Sequence, residues 1–188
     1  MQVSLSVSGV RSSVGKNITE LTKKMIDSVF AVNAISHIYT VKEFLPNMIK
    51  NKNGHIVTIS SAGGTVGVAT SADYSASKFA AFGFDESLRT ELKKIGSNVK
   101  TTCICPYYIN TGMFEGVKSK VPLVLPFLDQ HWMTNRIVNA ILQEEPQVIT
   151  PFSVNWNFLA RALLPVSWFD RLHEFLGTST GMDGFKSH

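Results

Sequence analysis

The residues of this sequence best suited to chemistry are Ser61, Tyr74 and Lys78, spaced thirteen and then four positions apart. Residues four apart on a helix share a face, so Tyr74 and Lys78 present a phenol and an ammonium to the same space. A phenol titrates near about pH 10 and is a poor base at neutrality, but a cation beside it favours the phenolate and is expected to lower that value. Such a pair can give a proton to a carbonyl oxygen or take one from an alcohol, while Ser61 hydrogen-bonds the same oxygen and fixes its position. Alcohol oxidation or carbonyl reduction also needs a hydride partner. Side chains do not supply hydride, so the chemistry implies a nicotinamide cofactor.

The flanking sequence provides elements that can position these groups. His55 to Ser60 reads as a buried, β-branched strand ending just before Ser61, followed by a glycine-rich turn at Gly63, Gly64 and Gly67. That turn is better read as part of a substrate loop than as a phosphate cradle. A helix is expected from about Tyr74 to Lys94, capped by Ser71 or Asp73, with Ala76, Ala80, Ala81 and Gly83 permitting close packing. Val99 to Cys105 reads as a second buried strand stopped by Pro106. Strand, helix and strand of these lengths form a βαβ unit with a parallel sheet, whose strand ends open into a crevice where Ser61, Tyr74 and Lys78 can meet.

Upstream, Val3 to Val7 alternates like a short strand before the Ser8-Gly9 break, and apolar positions recur at three and four from Thr19 to Lys50, predicting helix in one or two pieces. Thr19 with Glu20 reads as the entry to that helix, and Pro46 lies near its end. Downstream of Pro106 the sequence loses its period. It regains one in a helix from about Met133 to Glu144, a strand from Gln147 to Thr150, and an apolar helical stretch from Phe152 to Gly177 interrupted by Pro165. Core packing, a wall for a lipophilic substrate and a membrane-surface helix are all open readings of that last stretch.

Composition narrows the classes. At 188 residues with 44% hydrophobic and 17% charged residues, the chain can build a core, and one domain spanning 1–188 is expected. A net charge of +4, dispersed along the chain, argues against nucleic acid but tolerates an anionic lipid surface. Cys103 and Cys105 lie two apart in a strand-like run, a poor geometry for a disulfide, and read as reduced core thiols suited to a cytosolic setting. The five histidines show no ligand spacing for zinc. No apolar run is long enough to span a bilayer, and MQVSLSVSGVRSS lacks the regions of a signal peptide.

Taken singly, Ser61, Tyr74 and Lys78 have ordinary readings as a capping serine, an amphipathic tyrosine and a solvated lysine. Their joint spacing and strand-helix context instead resemble the short-chain dehydrogenase/reductase family. The resemblance covers about Val3 to Phe185 and is closer to its retinol and 17β-hydroxysteroid dehydrogenase branch, family 16C, through DYSASKFAAFGF, KTTCICPYYINTGMFEG and a terminal MDGF. It implies Tyr74 as general acid/base, Lys78 as the residue that lowers its pKa and holds the nicotinamide ribose, and Ser61 as the group that orients the substrate carbonyl. It implies Asn33 as the helix asparagine extending a proton relay through water, although a helix asparagine is also commonly a local kink or cap. Pro106, Ile109 and Thr111 match the loop over the nicotinamide, with Tyr107 where the family usually has glycine; Thr111 is equally a turn-opening residue.

The implied activity is oxidation of a lipophilic alcohol such as retinol by NAD or NADP, at the cytosolic face of the endoplasmic reticulum or of a lipid droplet. A 17β-hydroxysteroid is the nearer alternative substrate. The family's Gly-rich first βαβ unit and apolar anchor have no counterpart in this sequence, and its Asn-Asn-Ala-Gly falls on Ser6-Val7-Ser8-Gly9. The expected fold is therefore α/β, an incomplete doubly wound, Rossmann-like parallel sheet lacking its first βαβ portion. A non-catalytic remnant that associates through its unpaired sheet edge, as a homo-oligomer or with another partner, is the rival functional reading.

Overall fold

The computed structural model describes residues 4–7, 15–111, 116–117 and 119–177. The Ser8-Gly9 break and the terminal MDGF lie outside the described residues. Four parallel strands make one sheet in the order β1 (Ser4–Val7), β2 (His55–Ile59), β3 (Lys100–Pro106) and β4 (Gln147–Thr150). Leu5 lies opposite Ile56, Val57 opposite Thr102, and Cys105 opposite Ile149. Sequence neighbours are also sheet neighbours, and each connection carries a helix, as parallel pairing requires.

Alternation along the strands divides the core between two faces. Ile56 packs on one side with Val41 and Met48 of helix α2 (Ser36–Lys50) and with Leu88 and Leu92 of α3 (Ala72–Lys94). Val57 and Ile104 pack on the other with Met133 and Ala140 of α4 (Gln130–Leu142). A strand buried on both faces needs apolar residues at consecutive positions, which explains the continuous runs IVTI and TCIC. The sheet is thus covered on both sides, the doubly wound arrangement expected from the sequence.

The long helical segment after residue 18 is more broken than its periodicity predicts. Ile18–Glu20 forms a single tight turn, and Glu20 accepts a hydrogen bond from the Asn17 N–H at 2.6 Å. The entry to α1 (Lys23–Phe30) is Thr22 rather than Thr19, its hydroxyl accepting from the Met25 N–H. Between α1 and α2 the chain makes a π-helical turn, Ala31–Ile35. Such a turn adds a residue without interrupting the helix, so the apolar spacing of three and four does not reveal it.

Ser71 occupies the cap position of α3, but its hydroxyl does not bond the helix; Asp73 instead accepts from the Tyr74 N–H at 2.8 Å. Beyond α4, the apolar C-terminal stretch divides at Pro165 into α5 (Trp156–Leu163) and α6 (Val166–Leu176). Proline lacks the N–H needed to continue a helix and instead suits the start of the next one. Among the described residues no helix is long and apolar enough to cross a membrane.

Candidate active site

The site forms where β2 and β3 end and α3 begins. At the end of β2 the chain enters a tight turn, Ala62–Gly64, and the Ser61 hydroxyl accepts from the Gly63 N–H at 3.1 Å, which fixes its rotamer. Gly64 permits the close packing that holds this turn against α3. A Cβ on Gly64 would stand 2.6 Å from Ser60 Oγ and 2.7 Å from the Lys78 carbonyl oxygen, whereas the Ser60 hydroxyl donates to that carbonyl at 2.8 Å. Thus the turn carrying Ser61 is attached to the helix carrying Tyr74 and Lys78.

Tyr74 is buried and lines the same cavity as Ser61, whose hydroxyl is near enough to favour the phenolate. Lys78 is wholly buried; its Nζ donates to the Ile59 carbonyl at 3.1 Å and lies 6.0 Å from the centre of the Tyr74 ring. The two side chains therefore share a helix face as the spacing predicts. The expected electrostatic consequence does not follow. Burial pushes the Tyr74 phenol above its ordinary value, and the Ser61 hydroxyl offsets this only in part. Burial also brings the Lys78 ammonium down to about 8. Desolvation penalises the phenolate and the ammonium alike, and at this separation it outweighs their attraction.

Asn33 is fully buried within the π-helical turn and reaches the site through one side chain. Its amide donates to Ser77 Oγ at 3.0 Å, and Ser77 in turn donates to the Tyr74 carbonyl at 2.7 Å. Ser77, Ser60 and the Ile59 carbonyl are positioning groups that spacing alone did not identify. The two serines adjoin the chemical residues in SSAGG and YSASK, the one signal by which they could have been found.

Pro106 ends β3, and Pro106, Ile109 and Thr111 line the same cavity as Ser61 and Tyr74. Ile109 is held there by a bridge to Leu128, with the Leu128 N–H bonded to the Tyr108 carbonyl at 2.8 Å. The cavity has a volume of about 450 Å³. Val66, Val68, Leu125, Trp156, Ala160 and Leu172 give it apolar walls, so the C-terminal stretch does form part of the pocket. Cys103 and Cys105 are buried free thiols with sulfurs 3.8 Å apart, and the Cys105 thiol, with burial second, drives the Cys103 pKa far upward.

The arrangement combines a proton donor and an oxygen-orienting hydroxyl lining an apolar pocket, with a buried ammonium behind the phenol. It can polarise one oxygen of a lipophilic molecule and exchange a proton with it. Of the residues expected to hold a nicotinamide, Tyr74, Pro106, Ile109 and Thr111 line the cavity, whereas Lys78 is buried behind it.

Comparison with known proteins agrees with this architecture. Residues 5–122 match the family described as short chain dehydrogenase. The chain is 39% identical over 184 residues to bovine short-chain dehydrogenase/reductase family 16C member 6, covering 97% of this chain and 58% of that protein. It is also 39% identical to human epidermal retinol dehydrogenase 2, covering 97% of this chain and 60% of that protein. It therefore spans less than two thirds of the length of these relatives. Among solved structures, a metagenomic short-chain oxidoreductase in complex with NADP aligns with TM-score 0.51 and 30% identity over 55% of this chain and 46% of that one. The apo form of LigD from Sphingobium sp. strain SYK-6 aligns with TM-score 0.66 and 25% identity over 87% of this chain and 64% of that one. The chain belongs to the short-chain dehydrogenase family.

Proposed function

We propose, from this family membership, that the protein is an NAD- or NADP-dependent oxidoreductase acting on the CH–OH group of a lipophilic alcohol, with retinol oxidised to retinal as the leading case. The observation that carries the reading is Ser61 and Tyr74 lining an apolar cavity of about 450 Å³, with the buried Lys78 ammonium 6.0 Å from the Tyr74 ring. The names of the relatives support the substrate, and the NADP complex among the solved structures supports the cofactor class.

In this proposal the alcohol oxygen lies between the Tyr74 and Ser61 hydroxyls. Ser61, its rotamer fixed by the Gly63 N–H, holds the oxygen in place, and Tyr74 exchanges a proton with it. Lys78, with its ammonium 6.0 Å from the Tyr74 ring, is assigned with Tyr74 to the cofactor ribose. Pro106, Ile109 and Thr111 flank the nicotinamide, whose chemistry is to accept or return a hydride at the carbinol carbon. Asn33 supports Tyr74 through Ser77. The apolar walls exclude water, which strengthens each polar interaction at the reacting oxygen.

Two finer assignments belong to the same reading. The exposed faces of α5 and α6 carry Trp156, Leu163, Val166, Trp168 and Phe175 beside the cavity, and Trp156 belongs to both. We assign this face to peripheral contact with the cytosolic side of an endoplasmic-reticulum or lipid-droplet surface, from which the substrate would enter. Co-sedimentation with liposomes, lost when Trp168 and Phe175 are changed to serine, tests this. Asn157 and His173 also line the cavity and can bind a second polar function, which favours a 17β-hydroxysteroid as the alternative substrate.

The deciding experiment measures retinal formation by the purified chain with NAD and with NADP, with a 17β-hydroxysteroid as competitor. Turnover of retinol that requires a nicotinamide cofactor supports the proposal. Turnover of the steroid alone transfers the site to the alternative, and no turnover of either refutes the reading.

A further inference from the structure

Asn157 and Ala160 of α5 and Leu172 and His173 of α6 wall the cavity into which α3 brings Tyr74. Two side-chain contacts join α3 to α5. The Phe82 and Phe158 rings stack with centroids 6.2 Å apart, and the Arg161 guanidinium lies 5.8 Å from the centre of the Phe79 ring. Phe79 and Phe82 are three apart on α3, as are Phe158 and Arg161 on α5, so each helix presents one face to the other. Arg161 also lies 5.4 Å from the centre of the Phe169 ring of α6, and Phe169 packs on His173 with ring centroids 4.3 Å apart. The guanidinium thus touches rings from both α3 and α6, while among the described residues it forms no ion pair.

On the reading of the site given above, we infer that Arg161 is a positioning residue for the substrate: held between Phe79, the neighbour of Lys78 on α3, and Phe169 of α6, it clamps the α5–α6 wall to the catalytic helix and so sets the fit of a lipophilic alcohol. Both ring distances lie within the ~6 Å over which an aromatic face attracts a cation. Arginine suits the place because its planar, weakly hydrated guanidinium can lie against more than one ring, whereas a lysine ammonium meets a ring as a point charge. The Arg161 side chain is exposed, so each contact is of the weaker kind. Such a clamp biases the position of the wall without being needed to build the core. When it is removed the wall samples more open positions, and a site whose binding-competent form is partly populated loses affinity by that fraction.

The test compares Arg161→Met, which keeps an unbranched stem without charge, with Arg161→Lys, which keeps the cation. In retinol oxidation Arg161→Met is expected to raise KM by about 5-fold with kcat changed less than about twofold. Arg161→Lys is expected to recover at least half of that loss. A wild-type KM in Arg161→Met, or a lower thermal midpoint with KM unchanged, overturns the inference. Nitrogen-15 NMR of the unliganded protein provides a readout independent of turnover, because Trp156 lines the cavity on α5 and its indole N–H reports the position of the wall. Arg161→Met is expected to shift that signal and Arg161→Lys to return it toward wild type. An unshifted Trp156 signal in Arg161→Met overturns the inference. Absence of retinol turnover in the wild-type chain refutes the functional reading separately, and the Trp156 signal then still decides whether Arg161 holds the wall.

Discussion

Replacing Gly64 by alanine tests the attachment between the Ser61 turn and the catalytic helix. The new Cβ would stand 2.6 Å from Ser60 Oγ, 2.7 Å from the Lys78 carbonyl oxygen and 2.8 Å from its carbon. Two of these atoms belong to the α3 backbone, which cannot rotate away as a side chain can. The turn must therefore retreat from α3 and lose the 2.8 Å Ser60–Lys78 bond. Overpacking of this kind costs about 1–3 kcal/mol. Taking about 2 kcal/mol, the midpoint of thermal unfolding should fall by about 4–8 °C for a chain of this size. Ser61 would move away from Tyr74, and misplacement by ~1 Å at a reacting oxygen costs on the order of 10²-fold in rate. Gly63→Ala is the control, because its Cβ would meet Ser61 Oγ and Tyr74 Cε1 at 3.6 Å, an ordinary contact. Circular dichroism melting and alcohol-oxidation rates on both variants provide the comparison. If Gly64→Ala melts and turns over like Gly63→Ala, the turn is not held by close packing and the reasoning is refuted.

Other predictions address charge and proton transfer. Tyr74→Phe should reduce turnover by at least about 10²-fold, with a melting temperature close to wild type, as read from kinetics beside a thermal melt. Because burial raises the Tyr74 pKa, the phenolate needed to accept the alcohol proton grows as pH rises. Oxidation should therefore accelerate toward alkaline pH while carbonyl reduction is favoured at neutral or lower pH, which paired pH-rate profiles will show. Asp85 on α3 is buried, with burial raising its pKa from 3.8 to about 6 although the Thr101 hydroxyl donates to it at 3.4 Å. A folded-state pKa above the unfolded one means that its stabilising contribution, full below pH 4, is lost as pH rises through about 6. Asp85→Asn should therefore stabilise the protein by about 2–3 kcal/mol at pH 7.5 and by little at pH 4, measured by urea unfolding at the two pH values.

The strands and the chemical residues were legible in the sequence for a common reason. Runs buried on both faces, such as IVTI and TCIC, need consecutive apolar residues, and Ser61, Tyr74 and Lys78 need fixed offsets from the strand end and helix start that carry them. What depends on depth was not legible. The spacing placed Lys78 beside Tyr74 but did not reveal that both are buried, and burial of the phenol turns the expected fall in its pKa into a rise. The π-helical turn around Asn33 and the contacts of Ser60 and Ser77 arise from packing between elements distant in sequence, which local periodicity does not encode. The apolar tail illustrates the same limit: core, pocket wall and surface contact use the same residue types, and only the fold assigns Trp156 and Leu172 to the cavity.

Deuterium transfer tests the central claim most directly. Retinol carrying deuterium on its hydroxymethyl carbon is incubated with the wild-type chain and NAD or NADP, and the nicotinamide product is analysed by mass spectrometry. The account predicts one deuterium on the reduced nicotinamide for each retinal formed, with both products lost in Tyr74→Phe. Absence of label from the nicotinamide, or labelling undiminished in Tyr74→Phe, would contradict a proton-transfer site built from Ser61, Tyr74 and Lys78.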